Sequence, residues 1–169
     1  IIITSRDAVT GTVTVEYADE QEKQVKTVWH RTLHDAGAYG SDLVSDIVGQ
    51  SRAFTFPKSL YAERDSIKMV VGNNPDALIV DFFAGSGTTL HAVNLLNAED
   101  NGNRRCVLVT NNEVANEDAE ILRTKGFKPG DQEWESHGIC KSVTWPRTTH
   151  SILGRLDDGT SLNLSLIHI

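Results

Sequence analysis

The run Asp81-Phe82-Phe83-Ala84-Gly85-Ser86-Gly87-Thr88-Thr89 decides how this chain folds. It follows the wholly apolar segment 78–80, and such a segment is typical of a strand covered on both faces in a parallel sheet. Apolar residues at helical spacing over 88–97 predict a helix directly after the run. Gly85 and Gly87 let the backbone turn sharply and approach a ligand closely, because they carry no side chain. The run is therefore predicted to form a strand end, a glycine turn and the start of a helix.

The segments on both sides of this turn continue the alternation of strands and helices. Helices are expected upstream at 41–48 and 59–71, and a strand and a helix downstream at 106–109 and 116–126, the last with Asn116 as its cap. This order predicts an α/β fold with a doubly wound, parallel sheet. After position 130 the pattern suits either a helix or a further strand, with apolar positions at Trp134, Ile139, Val143 and Trp145.

The first part of the chain has the alternating pattern of a half-buried strand. Val13, Val15 and Tyr17 alternate with polar residues, and the segment 25–29 can return beside them. A β-hairpin is therefore expected over 11–29. The last residues, 163–169, resemble a translated sequencing adapter, and we expect them to lie outside the fold.

The composition fits one ordered globular domain, since the 169 residues are 39% hydrophobic and 23% charged. The net charge of −7 argues against a self-sufficient duplex-binding surface, because such surfaces are normally basic. No apolar run reaches the ~20 residues that a membrane span needs. The two cysteines, Cys106 and Cys140, are too few for a disulfide framework, and the histidines lack the spacing of metal ligands. We expect a cytoplasmic protein without a metal site.

Three classes of ligand compete for a glycine turn of this kind. A phosphate-binding loop needs a lysine before the Ser/Thr, and none occurs over 81–89. A dinucleotide-binding turn needs Gly or Ala at the position of Leu90. The third class is the methyl-donor site of methyltransferases, in which an acidic residue ends the strand, as Asp81 does here. A surface turn without a ligand would leave the combination of buried strand, acid, glycines and helix unexplained.

The nine-residue run is similar to the motif D-(P/F)-F-(A/C)-G-S-G-T-T of N6-adenine and N4-cytosine DNA methyltransferases. Its likeness is greatest to modification subunits of type III restriction–modification systems, and it extends over 26–162, including the segments 54–59, 107–113 and 144–147. The resemblance implies a Rossmann-like, S-adenosylmethionine-dependent fold and site-specific methylation of DNA, with adenine N6 as the target. The partners that it implies are DNA, a restriction subunit and a second copy of the chain.

The resemblance also implies which residues hold the methyl donor. Asp81 would order the turn and engage the donor's ammonium group. Lys58 and Ser59 would hold its carboxylate by charge-assisted hydrogen bonds. A strict count from the second strand puts Thr110 where an acid usually binds the ribose, so we assign that role to Glu113. The remaining donor contacts would come from the turn itself, at Phe82, Phe83, Ala84, Gly85, Ser86, Gly87 and Thr88.

The catalytic motif of these enzymes, of the Asp-Pro-Pro-Tyr type, has no counterpart here, because no two of the four prolines are adjacent. We therefore expect no catalytic residue in this chain and place the motif before residue 1. On this interpretation 1–29 is the tail of a target-recognition region and 30–162 is the donor-binding part. Two alternatives stay open: a donor-binding module without catalysis, and a methyltransferase acting on RNA or a small molecule.

Two single residues, His91 and Arg147, could each have a structural role or bind a ligand. His91 lies within the predicted helix 88–97, and we expect it to pack there rather than bind a ligand. Arg147 follows Trp145-Pro146 and either contacts a phosphate group or structures a turn. The sequence leaves both roles of Arg147 open.

Overall fold

The computed structural model describes residues 2–16 and 28–163. Its strands are β1 (Ile2–Arg6), β2 (Val13–Glu16), β3 (Leu78–Asp81) and β4 (Arg105–Leu108). Its α-helices are α1 (Leu43–Val48), α2 (Leu60–Val71), α3 (Thr88–Asp100), α4 (Asn116–Thr124), α5 (Gln132–Ser136) and α6 (Trp145–Leu153). Wider helical turns at Gly37–Asp42 and Cys140–Thr144 lead into α1 and α6.

β3 and β4 pair in parallel, with Asp81 opposite Leu108, and α3 connects them. The predicted unit of strand, glycine turn, helix and parallel strand is therefore confirmed. α3 runs to Asp100, one turn beyond its predicted end. Ser59 caps α2 by accepting from the N–H of Ala62 at 3.4 Å, in agreement with the predicted start of that helix.

One local prediction needs correction, and the structure decides between two alternatives that the sequence left open. Asn116 is the first helical residue of α4 and not its cap, which is Ala115; the chain enters from an extended backbone at that alanine. The ambiguous region after position 130 is helical, because it forms α5 and α6 and no strand of the described residues lies there.

The described part of the N-terminal region forms a hairpin of β1 and β2, which pair antiparallel. The Asp7 carboxylate accepts from the N–H groups of Val9 and Thr10, and Gly11 adopts a φ of +72°, so the chain reverses before β2. Most of the predicted return strand lies outside the described residues, and at 28–29 the backbone is not in a strand.

The main core lies where α1, α2 and α3 meet. Its buried members are apolar residues of those helices together with one residue near the end of the described chain: Leu43, Ile47, Leu60, Tyr61, Ala92, Leu95 and Leu162. A smaller cluster of Ala119, Leu122 and Trp134 joins α4 to α5. These clusters fix the helices around the β3–α3–β4 unit. No helix in the described parts of the chain is long and apolar enough to cross a membrane.

One face of the parallel strand pair is open. Leu78, Val80, Val107 and Val109 are each about half exposed. The alternate side chains, among them Ile79 and Cys106, are only partly exposed and face the packed side. The prediction that the strand 78–80 is covered on both faces is therefore wrong for the described residues, since their helices leave the Leu78–Val80 side uncovered.

Candidate functional site

The glycine turn is fixed between the ends of the two parallel strands. The backbone N–H of Val109 donates to the Asp81 carbonyl at 2.8 Å, and the N–H of Ala84 donates back to the Val109 carbonyl at 3.2 Å. Within the turn, the N–H of Gly87 donates to the Ala84 carbonyl at 2.8 Å. The turn therefore lies at the carboxyl ends of β3 and β4, which is where parallel sheets bind ligands.

Both glycines of the turn adopt left-handed conformations, with φ of +50° at Gly85 and +77° at Gly87. Other residues reach such angles only with strain of roughly 1–2 kcal/mol. A β-carbon at Gly87 would lie 3.4 Å from the Thr144 methyl group, which is an ordinary contact. The backbone conformation, rather than lack of space, therefore explains why glycine stands at these positions, as the sequence predicts.

Asp81 connects the strand end to the turn and to the following helix. Its Oδ1 accepts from the Phe83 N–H at 2.9 Å, and its Oδ2 accepts from the Thr89 hydroxyl at 2.6 Å. Asp81 is half-buried and Thr89 is buried. This carboxylate thus orders the turn, which is one of the two roles predicted for it.

Helix α2 places a second carboxylate near Asp81 that the sequence reasoning missed. Burial raises the pKa of Glu63, and the charge of Asp81 raises it further. The Lys58 ammonium and the Thr89 hydroxyl act in the opposite direction. Glu63 and Lys58 therefore share the electrostatic environment of the turn. In the sequence Glu63 looks like any acid in the first turn of a helix, so no signal distinguishes it.

Lys58 and Ser59, which are predicted to act together, lie in different environments in the structure. The Lys58 side chain is exposed. Ser59 is 3% exposed, and its hydroxyl donates to the Leu33 carbonyl at 2.8 Å while it caps α2. Since a hydroxyl has one proton, Ser59 could donate to a ligand only by releasing Leu33. Binding of the donor's carboxylate by Ser59 stays a prediction.

The loop after β4 is held by Asn112, which the sequence reasoning did not single out. The Asn112 amide donates to the backbone carbonyl and to the carboxylate of Glu135, each at 2.8 Å. Its oxygen accepts from the Lys141 N–H at 3.1 Å. The hydrogen bond from the Asn112 amide to the Glu135 carboxylate lowers the pKa of Glu135, and the Gly130 N–H, which donates to the same carboxylate at 3.0 Å, lowers it further. The neighbouring Glu113 side chain is exposed, and its ribose role stays a prediction.

The remaining residues of the turn fall into exposed aromatic and buried small side chains. Phe82 and Phe83 are 66% and 92% exposed. Ala84, Ser86 and Thr88 are buried. The turn therefore presents two phenylalanine rings outward and directs its hydroxyls inward.

Arg147 contacts the buried side of the glycine turn. Its side chain is completely buried, and its Nη1 donates to the Ser86 carbonyl, the Ser86 hydroxyl and the Thr88 hydroxyl at 3.3, 3.1 and 2.8 Å. Of the two roles that the sequence left open, the geometry supports a structural contact with a turn. His91 is buried within α3, which agrees with the expected packing role.

Comparison with known proteins identifies relatives of this chain. A family model described as DNA methylase matches residues 5–121. The chain is 37% identical over 122 residues to the Type II methyltransferase M.KpnI of Klebsiella pneumoniae, an alignment that covers 70% of this chain and 28% of that protein. It is 34% identical over 94 residues to the EcoPI Mod subunit, a type III restriction-modification enzyme of Escherichia phage P1. That alignment covers 56% of this chain and 14% of the relative.

A third relative is the StyLTI Mod subunit, a type III restriction-modification enzyme of Salmonella typhimurium, which is 34% identical over 93 residues. That alignment covers 55% of this chain and 14% of the subunit. The chain thus spans between 14% and 28% of the length of the curated relatives that it matches.

Proposed function

The chain belongs to the DNA methylase family, and we propose that it forms the methyl-donor site of an enzyme that methylates DNA. The donor is S-adenosylmethionine and the acceptor is the exocyclic amine of a base, adenine N6 in the first place. The observation that carries the proposal is the turn between β3 and α3, in which Asp81 bonds across two left-handed glycines. The names of the relatives, a type II methyltransferase and two type III Mod subunits, support DNA as the substrate.

The proposed fold is the Rossmann-like fold of S-adenosylmethionine-dependent methyltransferases. The parallel pair of β3 and β4, joined through α3, supports it, because in such sheets ligands bind beyond the carboxyl ends of the strands. The open apolar face around Leu78 and Val80 also fits a sheet that is larger in the whole enzyme.

The side chains around the turn suit a zwitterionic donor. An ionised carboxylate has about four lone-pair sites, so Asp81 can bind an ammonium group while it accepts from Phe83 and Thr89. The exposed ammonium of Lys58 is available for the donor's carboxylate. Glu113, exposed in the loop after β4, is the candidate for the ribose hydroxyls. Phe82, Phe83, Ala84, Gly85, Ser86, Gly87 and Thr88 form the remaining wall.

S-Adenosylmethionine, when bound, supplies an electrophilic methyl group on its sulfonium. The residues of this chain contribute position and orientation, which convert the transfer into an effectively intramolecular step. The base must leave the DNA stack to present its amine. No Asp-Pro-Pro-Tyr-type motif occurs in the chain, so the groups that hold the amine are proposed to come from another part of the enzyme.

The proposed partners follow from this activity. DNA is the substrate of the whole enzyme, and a restriction subunit is the partner suggested by the type III Mod relatives. Assembly with a second copy of the chain stays a prediction. The bacterial and phage origin of the relatives supports a cytoplasmic location for the enzyme, because bacterial DNA lies in the cytoplasm.

Isothermal titration of this chain with S-adenosylmethionine tests the proposal. We expect saturable binding, and we expect Asp81→Asn to weaken it about tenfold or more, since hydrogen bonds to a charged group contribute about 1.5–3 kcal/mol. Asp118→Asn, an exposed acid in the first turn of α4, is the matched control and should bind like the wild type. Equal affinity in wild type and Asp81→Asn would refute the proposed site, and so would a lack of saturable binding at millimolar donor.

A further inference from the structure

A buried cation lies beneath the glycine turn without an acidic partner. Arg147 is completely buried, and no ion pair reaches it within the described residues. Its Nε and Nη2 also lack hydrogen-bond partners among those residues. Burial lowers the pKa of this guanidinium to about 9, so it remains charged at neutral pH. The charge lies at the N-terminus of α3, the positive end of the helix dipole.

This placement is unfavourable for stability taken alone. Burying an ion without a counter-ion costs several kcal/mol before its hydrogen bonds are counted. Within the described residues, the hydrogen bonds of the Arg147 side chain all go from Nη1 to the segment Ser86–Thr88. The arginine is therefore arranged to hold the turn rather than to strengthen the core.

Thr144 holds the same turn one residue earlier. Its hydroxyl is 2.6 Å from the Gly85 carbonyl and 3.2 Å from the Ile139 carbonyl, and the shorter contact takes its single proton. Its methyl group lies against Gly87. Thr144 and Arg147 thus bind two successive carbonyls of the turn, those of Gly85 and Ser86, from the side of α6.

The orientation of these carbonyls fixes the opposite face of the turn. In a trans peptide the C=O and N–H groups point in opposite directions. When the Gly85 carbonyl points toward Thr144, the N–H of Ser86 must point away from α6. The N–H of Gly87 is already bonded to Ala84, so the Ser86 N–H is the donor that this arrangement directs outward.

We propose that Thr144 and Arg147 are positioning residues of the donor site, which hold the turn so that the Ser86 N–H faces the bound methyl donor. This inference rests on the proposed function, since it names what shapes the same site. Both residues lie outside the segment 5–121 that the family model matches. Neither residue touches the donor on this proposal, because both lie on the inner side of the turn.

The test measures donor affinity in variants that are folded. Thr144→Val removes the hydroxyl and keeps the shape of the side chain. Arg147→Met removes the charge and the bonds, and Arg147→Lys restores the charge. Thr149→Val is the matched control on α6, since its hydroxyl bonds within that helix to Trp145 and Pro146. Arg105→Met controls for loss of an exposed arginine.

Titration with S-adenosylmethionine is carried out at a temperature at which circular dichroism shows every variant to be fully folded. We expect Thr144→Val and Arg147→Met to bind about tenfold more weakly, which corresponds to about 1.4 kcal/mol. Arg147→Lys should recover part of that loss, and both controls should bind like the wild type. In the wild type, the NMR signal of the Ser86 amide should shift on addition of donor, and this shift should shrink in Thr144→Val.

Donor affinity equal to the wild type in folded Thr144→Val would overturn the inference, whatever happens to the stability of that variant. If Arg147→Met does not fold, Thr144→Val still decides. Failure of the proposed function has a different signature, because the wild-type chain would then not bind donor or would be insensitive to Asp81→Asn. A wild type that binds, with loss in Asp81→Asn and none in Thr144→Val, overturns the positioning role alone.

Discussion

Replacing Thr89 by valine tests how strongly the Asp81 carboxylate ties the turn to α3. The change removes the hydroxyl that donates to Asp81 Oδ2 at 2.6 Å and keeps the branched shape of a buried side chain. Hydrogen bonds to charged groups contribute about 1.5–3 kcal/mol. Asp81 is half-buried, so water can partly replace the lost donor, and we expect the lower end of that range, about 1.5–2 kcal/mol.

Urea unfolding followed by circular dichroism measures this loss. With a dependence of about 2 kcal/mol per molar urea, the midpoint should fall by about 0.7–1 M. Thr89→Ser is the matched variant, because it keeps the hydroxyl and removes only a buried methyl group, at about 0.8 kcal/mol. Valine should therefore be the more harmful change. A midpoint for Thr89→Val at or above that of Thr89→Ser would refute the reasoning.

Three further predictions concern other parts of the fold. Burial and the nearby Asp81 raise the pKa of the Cys106 thiol to about 11. Near neutral pH, Cys106 should therefore be alkylated on the order of a hundredfold more slowly than an ordinary cysteine. Mass spectrometry measures the alkylation rate. The Arg104 guanidinium lowers the pKa of Asp100, so ionised Asp100 stabilises the fold above about pH 4. This stabilisation is lost as the pH falls through the lowered pKa. Asp100→Asn should therefore remove this part of the acid dependence of the urea midpoint. A β-carbon at Gly40 would lie 2.7 Å from the Pro57 carbonyl oxygen, so Gly40→Ala should destabilise the chain by about 1–3 kcal/mol in urea unfolding and displace the Lys58 segment. An unchanged midpoint in Gly40→Ala would contradict the tight packing inferred there.

The parts of the site that could be predicted from sequence are those fixed by local signals. The apolar run before Asp81, the two glycines and the Ser59 cap each act on neighbouring residues, and the structure has β3, the turn and α2 at those places. The contacts that were missed join distant positions. Thr144 and Arg147 meet the turn across 59 and 61 residues, and Asn112 meets Glu135 across 23. Periodicity and capping rules carry no information about such pairs.

The wrong prediction about burial has a related cause. The apolar segment 78–80 has the composition of a strand with two covered faces, yet the covering elements are a property of the whole sheet and not of the segment. The alternation that begins at Val13 likewise predicts a strand, which the structure has as β2, but it carries no information about the pairing of β2 with β1.

The two sides of the glycine turn differ in a way that bears on how the enzyme would work. On the inner side its carbonyls and hydroxyls bond to Thr144 and Arg147, and at its base Asp81 bonds to Thr89. On the outer side the Phe82 and Phe83 rings are exposed. Among the described residues, these contacts hold the turn in one conformation, so the turn is preorganised for a ligand. Donor binding and transfer to a base should then be separable, which is why titration of this chain alone is a sharp test of the proposal.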